Sequence, residues 1–143
     1  MNKPELLAYM RSHKLAVVGS LAEDGAPQAA LVGVATADEF QIVFDTASTS
    51  RKHANLIRDT RVSLTFSGPD EQTLQLEGFA LPVSQSRPDD MKYLDAYYAA
   101  WPDGRERAKW PKIAYWRIRP RWARFSDYNR GPLIAEFAFD KAD

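Results

Sequence analysis

The chain has no cysteine, so a disulfide framework and a thiolate zinc site are both excluded. Histidine is scarce too: His13 and His53 are the only two, which leaves a multi-histidine metal centre poorly supplied. No excess of charge exists, since nineteen Lys and Arg face nineteen Asp and Glu. Bulk electrostatics therefore gives no reason to expect a nucleic-acid or anionic-membrane partner. The first residues, "MNKPELLAYMRSHK", are charged and broken, without the apolar run of a signal peptide or membrane span. Also missing are internal repeats, a low-complexity linker, a nucleophile elbow, a Gly-rich dinucleotide loop and any metal-ligand spacing. What remains is 143 residues of globular composition, 45% hydrophobic and 27% charged. This predicts one domain, residues 1–143, soluble and cytoplasmic.

The pattern that is present is one of short strands with a few helices. "NKPELLAYMRSHK" predicts a helix with Asn2 as N-cap, Pro4 in the first turn and Glu5 closing a capping box. "LAVVGSLA", "QAALVGVAT" and "FQIVFDT" read as a meander of three antiparallel strands, the first turn carrying Gly25 and Pro27. "RVSLTF" alternates Val62, Leu64 and Phe66 with polar residues, the period of a half-buried strand. "TLQLEGFALPV" is the next strand, with Gly78 a candidate bulge. "SRPDDMKYLDAYYAAW" predicts a helix capped by Ser86 and Asp89 that buries Met91, Leu94, Tyr98 and Trp101, and "WPDGRERAKWPK" one helical turn or irregular chain. "IAYWRIRP", "RWARFSDY" and "LIAEFAF" add at least two strands. The expected class is mainly β (α+β): six or seven mostly antiparallel strands in a closed or partly closed barrel with peripheral helices.

One helix start stands out. In "FDTASTSRKHANLIRD" the helix opens on Arg51, Lys52 and His53, and its first acid is Asp59. A helix N-terminus carries partial positive charge and free N–H groups, so cations there are unfavourable and an anion favourable. Hydroxyls, free N–H groups and two cations are together the parts of a phosphate site. A plain amphipathic helix, burying His53, Leu56, Ile57 and Thr60 with its bases solvated, is the competing account. The preceding strands are apolar on both faces yet rich in Ala and Gly, which permits close approach by something flat or by another chain. Tight packing of a small barrel would explain the same composition.

These residues resemble the pyridoxamine-phosphate-oxidase-like FMN-binding split-barrel family. The resemblance runs from about residue 15 to residue 78 and resumes at "YWRIRPRWARFSDY"; its most specific part is "VFDTASTSRKHANLIRDTRVSLTF". It implies an antiparallel split β-barrel and a flavin cofactor, FMN. By that resemblance Ser50, Arg51 and Lys52 hold the FMN phosphate, and Asp45 and Thr46 lie beside the ribityl chain and ring. Ala30, Leu31, Val32, Gly33, Val34 and Ala35 run along the isoalloxazine, contacting it mainly through backbone. Thr73 or Gln75 approaches the polar edge of the ring. The resemblance also implies a homodimer with the flavin between subunits, acting as an oxidoreductase on a small molecule.

Two departures narrow the activity. Family members that oxidise pyridoxamine phosphate carry basic residues where this chain has Ala30 and Ala35, and an Arg-Leu-His element where it has "NRGPLIAEF", with Arg130 the one base. The vitamin-forming reaction is therefore not expected, and the substrate stays unassigned. A deazaflavin- or haem-binding relative, a flavin carrier without turnover, and a nucleic-acid-binding barrel using the Arg and Trp residues of "YWRIRPRWARF" are the alternatives. Neutral net charge disfavours the last and makes those arginines a solvated strand edge over an aromatic inner face. Four tryptophans exceed what one such barrel can bury, a further reason to expect a symmetric homodimer.

Overall fold

The computed structural model describes residues 1–129 and 131–140. Helix α1 (Lys3–Ser12) forms as its cap dictates: the Asn2 side chain accepts from the Glu5 N–H, and the Glu5 carboxylate accepts from the Asn2 N–H, both at 2.9 Å. The strands are β1 (Leu15–Leu21), β2 (Pro27–Gly33), β3 (Ala35–Thr36), β4 (Ile42–Ala47), β5 (Arg61–Ser67), β6 (Gln72–Val83), β7 (Ile113–Asp127) and β8 (Leu133–Ala138). Helices α2 (Arg51–Arg58), α3 (Met91–Ala100) and α4 (Gly104–Arg107) complete the chain.

All the strands join one sheet in the order β2-β1-β5-β6-β7-β4-β3, with β8 also on β7 and every strand pairing antiparallel. The two ends of this order, β2 and β3, are consecutive segments broken at Val34, so the sheet curls until both ends are supplied by one stretch of chain. The expected meander is corrected here: β2 pairs with β1 and β3 with β4, because the residues 27–36 change neighbours at Val34. The fold is otherwise the mostly antiparallel, curled barrel with peripheral helices that the alternation called for. Among the described residues it has eight strands, because that segment divides, whereas "IAYWRIRP" and "RWARFSDY" fuse into the single β7. The fused strand pairs with β6 on one side and, on the other, with β4 at residues 113–118 and β8 at residues 122–127, so Arg117 and Arg124 do not line a sheet edge. Opposite Gly78 the register slips by one residue, and a side chain there would collide with the Arg119 carbonyl.

Alternation sorts the strands between two cores. Inside the curl lie Val18, Phe44, Leu64, Phe66, Trp116 and their neighbours, closed by Leu6 and Met10 of α1 and Leu56 of α2. Each such large side chain contributes about 1.5–3 kcal/mol on burial. On the outer face of β3, β4 and β7, Val43 and Tyr115 meet α3, which buries Tyr93, Leu94 and Tyr97. The expected buried set for that helix was thus rotated: Leu94 is buried, while Met91, Tyr98 and Trp101 are half-exposed. Its cap is also different. Asp90, in a 3-10 turn, accepts from the Ser84 N–H at 2.9 Å, and neither Ser86 nor Asp89 caps the helix. In α2, the inward positions are Asn55 and Leu56, with Ile57 and Thr60 exposed and His53 between.

Candidate functional site

The β4–α2 junction brings the hydroxyls and cations of the odd helix into one cluster. Ser50 caps α2, its Oγ accepting from the His53 N–H at 3.1 Å. Thr46 ends β4 on the inward face, its Oγ1 2.9 Å from Ser50 Oγ. Lys52 Nζ folds back and donates to Thr46 Oγ1 at 3.0 Å. No acid stands in the first turn. Arg51 is exposed and, among the described residues, makes no ion pair or hydrogen bond. Burial pushes the Lys52 ammonium below its ordinary pKa, with the Asp45 charge partly opposing. The half-buried cation has a hydroxyl for company where a carboxylate or phosphate would suit it.

The cluster opens on a cleft of about 200 Å3 whose other wall is β1 and β2, through Val18, Ser20, Gln28 and Ala30. Asn55 Nδ2 ties the two walls together, donating to Ser20 Oγ at 3.0 Å and to Gln28 Oε1 at 2.8 Å. This clamp was not legible beforehand, since an asparagine at an inward helical position gives no apolar signal. Trp116 adds a second clamp from the barrel interior, its Nε1 donating to His53 Nδ1 at 3.0 Å. That bond requires the proton of neutral His53 to be on Nε2. The ring of His53 is thereby held away from the helix cap.

The other expected ring contacts divide. Ala30 lines the cleft with Ser50, Arg51 and Lys52. Leu31 points outward and is 66% exposed, and Val32 packs inward against the core. Gly33 lies beneath the chain's own Trp101, whose ring a Cβ would meet at 2.9 Å; Trp101 Nε1 donates to the Val34 carbonyl at 2.9 Å. The flat group for which Gly33 leaves room is therefore an indole already in the chain. Val34 and Ala35 are buried.

Asp45 alternates to the opposite face from Thr46 and is held by Arg107, Nε to Oδ2 2.8 Å. That guanidinium also donates to the Tyr97 hydroxyl at 3.0 Å and to Asp103 at 2.9 Å. The Asp45 bond raises the pKa of Arg107 further, while burial pushes Tyr97 up to about 12. Tyr115 rises for the same reason, aided by its bond to Tyr98. Arg107 sits in the short α4, where no periodicity marks it. Thr73 and Gln75 lie on β6, outside the cleft, and Gln75 stands in register between Thr65 and Arg124. A single chain thus unites Ala30, Thr46, Ser50, Arg51 and Lys52, and leaves Asp45, Thr73 and Gln75 apart from them. The remaining arginines of β7 are engaged: Arg117 with Gln41 and over the Tyr93 ring, Arg119 over Phe79, Arg121 with Glu77. Of "NRGPLIAEF", residues 133–137 lie in β8, and Arg130 lies outside the described residues.

No helix among the described residues is long and apolar enough to cross a membrane. No curated protein matches the sequence. Solved structures of similar fold include a haem-binding protein from Mycobacterium smegmatis, with a TM-score of 0.80 at 15% identity over 96% of this chain and 59% of that one. A conserved hypothetical protein from Mycobacterium tuberculosis gives a TM-score of 0.75 at 21% identity over 100% of this chain and 95% of that one. A Clostridium acetobutylicum protein related to general stress protein 26 of B. subtilis, of the pyridoxinephosphate oxidase family, gives 0.69 at 17% identity over 99% and 95%. The chain spans about three-fifths of the length of the M. smegmatis protein. Identities this low establish the shared fold. The sequence pattern of the Pyridoxamine 5'-phosphate oxidase family matches residues 3–127, from α1 to the end of β7. The chain belongs to that family.

Proposed function

We propose that the protein binds FMN through its phosphate at the start of α2 and serves as an oxidoreductase for a small molecule. The observation that carries this reading is a pair of cations, Arg51 and half-buried Lys52, with no ion-pair partner among the described residues, at a capped helix start beside a cleft. A phosphate fits those groups: it accepts from the free N–H groups of the first turn, bonds the two cations and relieves the burial of Lys52. Bound there, FMN would supply the electron chemistry, and the chain needs only to orient it. Ser50 and Thr46 position the Lys52 ammonium, while the Asn55 and Trp116 clamps fix the helix against the barrel.

A second copy of the chain completes the site in this reading. Leu15, Val17 and Leu31 are exposed on the outward face of β1 and β2, where Val17 and Leu31 stand opposite each other. Thr65, Gln75 and Arg124 continue the same row across the sheet. A homodimer covering this face would bury the apolar end and bring Thr73 or Gln75 towards a partner's flavin. Sedimentation at micromolar concentration should then give one dimeric species; a monomer with tightly bound flavin would refute the shared site.

The cofactor test is direct. Titration with FMN and with riboflavin, read by flavin fluorescence, should show strong preference for the phosphorylated form. Equal binding of the two, or none of either, overturns the phosphate assignment. Because two of the similar structures are of a haem-binding and a haem-storage protein, haem belongs in the same titration; a Soret shift without flavin binding would replace this reading. His53 disfavours that outcome, since the Trp116 bond leaves its proton on Nε2, the free nitrogen that would have to ligate iron. Pyridoxamine phosphate should be oxidised negligibly by the FMN-loaded protein, because Ala30 and Ala35 offer its phosphate no cation. Turnover above about one per second would contradict this.

A further inference from the structure

A separate cavity of about 480 Å3 lies between α1 and α3, over the outer edge of β3. It shares no lining residue with the cleft at the start of α2, and its size is that of a small-molecule pocket, roughly 300–1,000 Å3. The floor is Ala35 of β3 with Ala37 just beyond it, and the α3 wall is built from Ala96 and Ala100 with the Tyr93 ring. These walls offer a ligand small apolar side chains and one aromatic ring.

The polar groups of this cavity give its charge preference. Arg11 is neutralised, its Nη2 2.8 Å from Asp38 Oδ1. Lys14 and Lys92 are not: among the described residues neither has a carboxylate partner. Lys14 Nζ donates to the Ala100 carbonyl at 2.9 Å over the Trp101 ring, and Lys92 lies over the Tyr93 ring. Glu39 is the one unpaired acid in the lining, and it stands in a left-handed turn at φ 60 followed by Phe40 at φ 62. Two such non-glycine residues in succession store strain, which accumulates at functional positions. Two open cations against one acid favour a single negative charge.

We propose that this cavity is a second binding site, for a small monocarboxylate with an apolar body. It stands independently of the flavin reading. The carboxylate would lie towards Lys14 and Lys92 with the body against the alanines, and a dianion would be turned away by Glu39. A titration of the full chain with 2-naphthoate, followed by backbone amide NMR, tests it, with 2-naphthamide as the uncharged match. Shifts are expected at Lys14, Thr36, Ala96 and Ala100, with the phosphate turn at Arg51–His53 unmoved. The amide should bind at least tenfold more weakly. Lys14→Met with Lys92→Met should erase that preference, and Ala96→Phe should fill the cavity and abolish binding of both probes. If Ala96→Phe fails to fold, the lysine pair alone decides. No binding, equal binding of acid and amide, shifts centred on the phosphate turn, or acid preference surviving loss of both lysines would each overturn the site.

Discussion

Helices α1 and α2 begin with the same grammar and end it differently. Each has a polar N-cap, Asn2 or Ser50, and each follows it with a cation, Lys3 or Arg51. Three residues after the cap, α1 places Glu5 and α2 places His53. Glu5 reaches back to the Asn2 N–H and closes the end, whereas the His53 ring turns aside to Trp116. One helix satisfies its own terminus. The other holds its terminus in place and leaves it electropositive, which is the property the proposed phosphate site requires.

Removing the cations should break the comparison most severely. Arg51→Ala with Lys52→Ala should weaken FMN binding by about 3 kcal/mol or more, at roughly 1.5–3 kcal/mol per charge-assisted bond. Riboflavin, without phosphate, should lose little, and fluorescence titration separates the two. Unchanged FMN affinity would place the phosphate elsewhere.

Converting one end into the other gives a gentler test. His53→Glu supplies α2 with the acid of a capping box, so FMN should bind about tenfold more weakly, a loss of about 1.4 kcal/mol. The reciprocal Glu5→Ala should cost about 1 kcal/mol of stability in urea unfolding and leave FMN affinity alone. If His53→Glu bound FMN normally, an open helix end would not be what recognises it.

The same contrast explains what could be read from the sequence. The α1 cap is local, so "NKPE" states it completely, and the inward Val62, Leu64 and Phe66 of β5 follow from their period of two. The open end of α2 was legible as well, because the missing acid is a sequence fact. Hidden were the features made by distant chain: Asn55 bridging to Ser20 and Gln28, Arg107 taking Asp45, and Trp101 lying on Gly33. Small residues in β2 signalled close approach but not by what. The change of partner at Val34 was hidden too, since an unbroken apolar run carries no mark of where its neighbours change.

Lys52 sharpens the contrast from the stability side. Its pKa is lowered in the folded protein, mainly by burial, so folding disfavours its charged form at neutral pH. Lys52→Met should leave the ligand-free protein as stable or slightly more so, by no more than about 0.5 kcal/mol. The same variant should lose the stabilisation that added FMN gives the wild type. A clear fall in ligand-free stability would make Lys52 a structural residue.

The smallest effect belongs to the opposite end of α2, which the chain closes for itself. Asp59 follows the last turn and accepts from the Arg61 N–H at 3.1 Å and from its guanidinium at 2.6 Å. Those bonds hold the carboxyl at a pKa of about 2, below its ordinary 3.8. A carboxyl depressed on folding stabilises fully above its unfolded value and ceases to do so as pH falls through its folded one. Asp59→Asn should therefore be slightly less stable than wild type at pH 7, and the gap should close between about pH 4 and pH 2. Arg61 is solvent-exposed and Asp59 partly so, so 1 M salt should shrink the gap at neutral pH. Urea midpoints across that pH range measure it. A gap that persisted below pH 2 would mean that Asp59 acts through shape at the helix end, with its charge contributing nothing.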